Sequence, residues 1–528
     1  MFRLQAVRSG TGGVAAALFL ISLLYLALCM DMTVGPFDEG ITLLGADRVL
    51  HGAVPHRDFY TLYGPGQFYV LAGLFKLFGA SVLIERVWTI IACACCIGFI
   101  FLVVDRVAPR RFAVLGAIAG LPWFQNTHPY GGAIIPCMAA ILAGLLFLTP
   151  VLGRGGRSPR LLGAGVCAGV AMLFRYDVGV AVFGSECLLL AISIWFERPV
   201  VPNRPRAILE SLVVFGAGYL IVAVPLVIAY GTNGVFPDWF FDVVVFPADA
   251  YARTRGLPLP RLWVLRKAPT EFIGVYLPLV VFAAVVPAIM AAAGQRALQW
   301  TLLTLAVLEL IWFGKGFVRA TLAQMSMALV LCAPLAAMAA QPIRGRGRIG
   351  SAMAVAALVL CLGLIVATEP AALAPMVRNL TRPPDCHPPA GLERIACFEM
   401  SQATVETAQY VQQHTGPDDP VFVGLNRHDK IFINDMTLYF AMNRVPATKW
   451  YQFDPGLQTS APIQREIIGE LQRVRPKLVV LEEIWKNMNE PNESSVSSGV
   501  TLLDDYIRQS YEPVATFGVH TILRARTS

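Results

Sequence analysis

The chain has 528 residues, 56% of them hydrophobic and 15% charged, with a formal net charge of +7 at neutral pH. Soluble globular domains carry about 25% charged residues, so this composition excludes an ordinary soluble enzyme and indicates a chain that crosses a membrane many times. The excess positive charge lies mainly in alternating loops, which is a topological signal and gives no reason to expect a nucleic-acid partner.

The first apolar run, Val14 to Met30, follows Arg3 and Arg8 but leads into no small-residue cleavage site, so it reads as a retained span. Further runs that can cross hydrocarbon as helices are Leu83–Val104, Ala133–Leu148, Val178–Phe196, Ile208–Tyr230, Phe272–Ala293, Phe317–Met338 and Ile349–Thr368. Three shorter runs, Phe112–Phe124, Leu161–Phe174 and Trp300–Phe313, bring the total to roughly eleven. With eleven spans, the loops DRVAPRR, RGGRSPR, ERPVVPNRPR, GQR and RGRGR share one side with the N-terminus, as cytoplasmic loops should. The opposite, extracytoplasmic side of the cell's inner membrane then receives the DEG loop, QNTHPYGG, the RYD element, residues 231–270, GKGFVR and the C-terminal tail. The polar interruptions cluster in the first half, unlike the matched broken helices of an inverted-repeat transporter.

After the first span comes GPFDEG, with Asp38 and Glu39 ahead of the helical pattern ITLLGADRVLHG. Asp38 is expected as the N-cap and Glu39 in the first turn, complementing the helix dipole. The same loop carries Asp47, Arg48, His51, His56, Arg57, Asp58 and Tyr63, and GQFYVLAGLFKLFG behind it reads as an interfacial helix with a snorkelling Lys76. The short run ending at Phe124 needs extra length to span the bilayer, which sinks Gln125, Asn126 and His128 to outer-leaflet depth. The run ending at Phe174 does the same to Arg175, Tyr176 and Asp177. Ionisable groups there either pair with each other or line a cavity. Lys315 and Arg319, with Arg253, Arg255, Arg261, Arg266 and Lys267 of the long loop, lie where the positive-inside rule should deplete cations. They suit either a lipid phosphate ligand or contacts to lipid headgroups.

From Glu369 the chain turns polar and Pro-rich, and TRPPDCHPP reads as a linker. Beyond it, helix SQATVETAQYVQQH, strand PVFVGL, amphipathic helix IQREIIGELQRV, strand KLVVLEE and a hairpin over YEPVATFGVHTILRAR predict a small α/β domain of mainly parallel sheet. Two domains follow, 1–368 in the membrane and 369–528 outside it. The tail has no phosphate-loop and no GxGxxG pattern. Its Cys386 and Cys397, on an oxidising face, are either a disulfide or two free thiols.

Taken together, the acidic pair, the run ADRVLHGAVPHRDFYTLYGPGQFYVLAGLFKLFG, the RYD element, FDVVVFPADAYARTRGLPLP and the exported tail resemble the GT-C glycosyltransferases that use polyprenyl-phosphate sugars. The likeness is to the bacterial branch related to protein O-mannosyltransferases and to the lipid A aminoarabinose and galacturonic acid transferases. It implies a GT-C-like polytopic helical fold and inverting transfer of a hexose or pentose to a glycan, lipid or protein acceptor. Asp38 would be the base, with Glu39 beside it. Arg57, Asp58, Tyr63, His128, Arg175, Asp177, Arg255, Lys315 and Arg319 would hold donor phosphate or acceptor. The resemblance leaves open both a metal-free site and a divalent metal beside the donor phosphate, for which His56, Asp58 and His128 are conceivable ligands without diagnostic spacing. A transporter or flippase of lipid-linked sugar is the competing reading; it needs the groove and the cations but no poised acid.

Overall fold

Backbone N–H and C=O groups in hydrocarbon must be satisfied within their own segment, and each apolar run accordingly folds as a helix. The structure, a computed structural model, describes residues 9–126, 130–197, 203–343 and 345–526. The first half comprises α1 (Thr11–Leu28), α2 (Asp38–Leu50), α3 (Pro65–Phe78), α4 (Val82–Asp105), α5 (Arg110–Gly120), α6 (Pro122–Asn126), α7 (Ile134–Leu148), α8 (Pro159–Phe174), α9 (Tyr176–Trp195) and α10 (Arg204–Thr232). Next come α11 (Phe236–Phe240), two π-helical turns over Phe241–Val245 and Pro247–Tyr251, α12 (Ala252–Arg255), α13 (Val264–Lys267), α14 (Pro269–Ala291), α15 (Arg296–Phe317), α16 (Leu322–Ala340) and α17 (Arg348–Thr381). Among the described residues, eight helices are long and apolar enough to cross a membrane: α1, α4, α9, α10, α14, α15, α16 and α17. The shorter apolar α7 and α8 pack against each other and against α4 and α10.

Three local expectations change. Asp38 is not the N-cap of α2; Phe37 is, and no side chain caps it, because the Asp38 carboxyl is turned to other partners. The expected span Phe112–Phe124 is broken into α5 and α6 just before Pro122, whose ring cannot continue the hydrogen-bond ladder. α17 does not stop where the composition turns polar. It runs through Pro370 and Pro375 to Thr381 because neighbours hold its last turns: Glu369 accepts from the Tyr25 hydroxyl (2.8 Å), Arg378 pairs with Asp31 (3.0 Å) and Asn379 donates to the Met30 carbonyl (2.8 Å).

The tail contains α18 (Gln402–His414), α19 (Met436–Met442), α20 (Ala461–Val474) and α21 (Leu502–Ser510) around strands β1 (Phe422–Leu425), β2 (Leu478–Glu482), β3 (Tyr511–Phe517) and β4 (His520–Ala525). The sheet order is β1-β2-β4-β3, and only β1 with β2 is parallel. The mainly parallel sheet expected from the alternating pattern is therefore wrong. The hairpin between β3 and β4 turns on Gly518 and Val519, with Gly518 at a φ of 55°, as tight two-residue turns require. Folding back this way lays β4 antiparallel on β2. Cys386 and Cys397 are joined as a disulfide.

The tail is not suspended on a linker. The Met436 N–H donates to the Pro36 carbonyl (2.7 Å), the Thr437 hydroxyl to the Gly35 carbonyl (2.6 Å), and the Glu399 N–H to the Met32 carbonyl (2.7 Å). Helix α19 lies on α2 so closely that a Cβ at Gly40 would come within 2.6 Å of Met436 Cβ and Thr437 N. Gly40→Val is therefore expected to lift the tail off the acidic loop. Limited proteolysis near Arg382 should be several-fold faster in the variant, with the membrane helices still resistant.

Candidate active site

Glu39 and Asp38, adjacent in sequence, have separate jobs. Glu39 is buried and receives the Arg86 guanidinium on both oxygens (2.5 and 2.9 Å), while the Gly35 N–H donates to Oε2 (2.8 Å). Arg86, from the first turns of α4, also donates to the carbonyls of Asp31 and Thr33 and stacks on Tyr130 at 3.7 Å. Both side chains are almost fully enclosed, at 1% and 3% exposure. This pairing contradicts the expectation of Glu39 as a reacting acid: its lone pairs are spent on fixing the loop. Gly131, at a φ of 78°, allows the neighbouring loop to reach within 2.4 Å, Cβ to Glu39 Cα, of that same turn.

Asp38 faces the other way, at the start of α2, where its charge complements the helix dipole. The Tyr63 hydroxyl donates to Oδ1 at 3.4 Å. Tyr63 is placed by Gly64, which approaches the end of α8 so closely that a Cβ would lie 2.1 Å from the Leu173 carbonyl. Arg175 is the single extended residue between α8 and α9, and its guanidinium sits 5.2 Å from the Tyr63 ring centroid. Arg175 holds Asp177 with two hydrogen bonds (3.0 and 2.8 Å), and Lys315 at the end of α15 reaches the same carboxylate at 2.8 Å. Arg255, brought in by the π-helical turns, pairs with Asp454 of the tail and lies 5.4 Å from the Phe37 ring centroid.

These groups feel one another. Burial pushes the Asp38 carboxyl above its ordinary range and Asp454 adds to the push, while Arg255, the Tyr63 hydroxyl and Arg175 oppose it. Tyr251 stands in the same field, near Asp38, Arg175, Arg255 and Asp454. Asp38 nonetheless remains exposed, and the Asp177 side chain keeps 46% of its surface accessible. Accessibility amid such crowding describes an open chamber walled by charge: an acid able to accept a proton faces three cations, each already held by a carboxylate.

The structure thus brings together Asp38, Tyr63, Arg175, Asp177, Arg255 and Lys315. It does not bring in Arg57 and Asp58, which pair with each other at the surface (2.9 and 2.8 Å). Arg319 is also diverted. Its guanidinium is bound by Glu490 of the tail (2.7 and 3.0 Å) and donates to the Arg255 carbonyl (2.9 Å), so it anchors Arg255 and the tail. His128 lies outside the described residues. His56 and Asp58 do not assemble a metal-ligand group; the one such group among the described residues is Asp435, Glu482 and His520. The sequence reading missed Asp454 and Tyr251. The surplus of arginines in residues 231–270 was the available signal, since buried cations need counter-charges and the tail supplies one.

Beside the chamber, His56 and Asp242 are buried 2.9 Å apart, with Tyr176 on the other ring nitrogen at 3.3 Å. Burial pushes His56 down to about 3 and Asp242 up to about 8, so the pair is neutral, the Asp242 O–H donating to His56. The folded chain holds the Asp242 proton up to about pH 8, whereas an unfolded Asp releases it near ~4. Unfolding between those values releases a proton, so this residue's contribution makes stability fall as pH rises through the window. Asp242→Asn, always neutral, should flatten that slope in thermal melts of the detergent-solubilised protein while preserving the His56 contact.

The sequence model of the dolichyl-phosphate-mannose-protein mannosyltransferase family matches residues 63–230, which include Tyr63 and Arg175 but not Asp38. No curated protein matches by sequence. Among solved structures, ArnT from Cupriavidus metallidurans bound to undecaprenyl phosphate superposes with a TM-score of 0.54 at 16% identity, covering 99% of both chains. Its apo state gives a TM-score of 0.55 at 15% identity over 98% of both. Likeness at this identity establishes the architecture. The chain has the fold of the GT-C glycosyltransferase ArnT over essentially its whole length.

Proposed function

We propose that the protein is an integral-membrane glycosyltransferase that moves a sugar from a polyprenyl-phosphate donor to an acceptor hydroxyl outside the cytoplasm, with inversion. The observation that carries this reading is an accessible Asp38, hydrogen-bonded by Tyr63 in a chamber that also holds Arg175, Lys315 and Arg255. Asp38 acts as general base on the acceptor, and its raised pKa matches that task better than an ordinary carboxylate would. The cations receive the departing lipid phosphate, whose charge grows as its bond to the anomeric carbon breaks. Asp177 holds Arg175 and Lys315 in place until the donor phosphate takes over part of their hydrogen bonding. The ArnT structure with bound undecaprenyl phosphate supports a lipid-phosphate donor. A flippase finds no support in these comparisons.

In this reading residues 1–368 form the catalytic membrane domain of an inner-membrane enzyme, and residues 369–528 an extracytoplasmic domain. The transferred sugar is a hexose or pentose, and the acceptor a glycan, lipid or protein. Arg57, Asp58 and His128 remain candidates for contacts to acceptor or headgroups at the rim. Any divalent metal beside the donor phosphate would have to be held by carboxylates of the chamber, since Arg and Lys supply no ligand there.

Two measurements test the proposal. Asp38→Asn should lower turnover by about 10²–10⁴ and leave binding of polyprenyl phosphate unchanged; a flippase would tolerate the change. In the wild type, turnover should fall as pH drops through a value above the usual aspartate range, because protonated Asp38 cannot accept the hydroxyl proton. Separately, Arg175→Ala and Lys315→Ala should each cost about 10²–10³ in turnover. An apolar replacement of Arg175 and Asp177 together should not restore it. Recovery in the double variant would make the pair structural, since removing both leaves no unpaired buried charge.

A further inference from the structure

The tail carries a second cluster of groups that the chamber does not use. Asp435, Glu482 and His520 come from the N-cap of α19, the end of β2 and the start of β4, and each offers a ligand atom within 4.8 Å of the others. The register makes this possible, because Glu482 and His520 face each other across β2 and β4. Exposure is 5%, 1% and 1% respectively. In spite of that burial, Glu482 Oε2 and both ring nitrogens of His520 lack a hydrogen-bond partner. Orphaned buried polar atoms of this kind are uncommon and call for an explanation.

The geometry points to a divalent-cation site formed by Asp435, Glu482 and His520, which fastens the tail to the acidic first loop. Two carboxylates and an imidazole are the donor set of a borderline cation such as Zn²⁺. Bonds of about 2.1 Å to such an ion bring ligand atoms to roughly 3.4 Å of one another; His520 Nε2 and Glu482 Oε2 already stand 3.8 Å apart. The remaining polar contacts fit first-coordination-sphere duties. Asp435 Oδ1 accepts from the Leu438 N–H (3.0 Å), and Glu482 Oε1 accepts from the Asp435 N–H (2.5 Å), leaving Glu482 Oε2 free. The Phe517 carbonyl lies beside the His520 ring and favours a proton there, the usual orientation for an imidazole that ligates through its other nitrogen. Without a cation the two acids oppose each other: burial pushes Asp435 up to about 7 and Glu482 still higher.

The site also has an entrance and a consequence. A surface cleft of about 420 Å³ reaches Asp435 between Thr33, Pro36, Glu399 and Ser401. Asp435 precedes the Met436 N–H that holds the Pro36 carbonyl, two residues before Asp38. An ion here would therefore stiffen the turn that aims Asp38. This inference rests on the tail's own geometry and stands apart from the glycosyl-transfer reading.

The test uses the full-length protein in detergent, stripped with chelator and titrated with Zn²⁺. One Zn²⁺ per chain should bind after dialysis and raise the melting temperature by several degrees. Glu482→Gln, which keeps shape and removes charge, and His520→Asn should each weaken binding at least tenfold. X-ray absorption at the zinc edge of the wild type should show one nitrogen-type ligand among oxygens, which needs no variant to fold. Stoichiometric Zn²⁺ of undiminished affinity in both variants would place the ion elsewhere and overturn the proposal. So would a wild type that retains no Zn²⁺, in which case the acids share a proton.

Discussion

The buried pair between Arg86 and Glu39 is the constraint on which the outer face of the molecule depends. Removing both charges from water is costly and is offset only when every lone pair and N–H finds a partner. Here they do. Arg86 spans two carboxylate oxygens and the carbonyls of Asp31 and Thr33, and Glu39 also takes the Gly35 N–H. The result is a first loop stitched at four points to α4, so that the start of α2 has one orientation. Asp38 is thereby aimed by the residue next to it, and the neighbouring acid is spent on structure.

Breaks in helices do the rest of the positioning. Arg175 stands alone in extended conformation between α8 and α9, so its side chain leaves the helical pattern where two helix ends meet. Gly64 lets α3 start against that same break, which delivers Tyr63. The π-helical turns after α11 widen the backbone and lead into Tyr251 and Arg255, a device often found where a helix must present a functional group. Each irregularity places a polar side chain in the chamber, as expected when irregular backbone at membrane depth is tolerated only where it lines a cavity.

The tail completes this arrangement. Asp454 neutralises Arg255, Glu490 holds Arg319, Lys449 reaches Asp238 at 3.1 Å, and the Lys449 carbonyl accepts from the Tyr60 N–H at 3.1 Å. Basic residues of the membrane part are thus paired with acids more than a hundred positions away. A tail displaced from α2 would leave Arg255 and Arg319 without counter-charge, so docking of the tail and the electrostatics of the chamber are coupled.

By itself the sequence determined the class of protein, the helical spans and the concentration of polar groups at one face. Apolar length and loop charge act locally, and nothing in the tertiary structure can override a backbone's need to satisfy itself in lipid. It also marked Asp38, Tyr63, Arg175 and Lys315 as out of place in an apolar chain. Only the tertiary structure decided which polar residues share a chamber. It separated Asp38 from Glu39, sent Arg319 to Glu490, left Arg57 with Asp58 at the surface, and turned the tail sheet mostly antiparallel by folding β4 onto β2. Those outcomes depend on partners distant in the chain, and the energy of a charge is set by the counter-charge and burial it meets after folding.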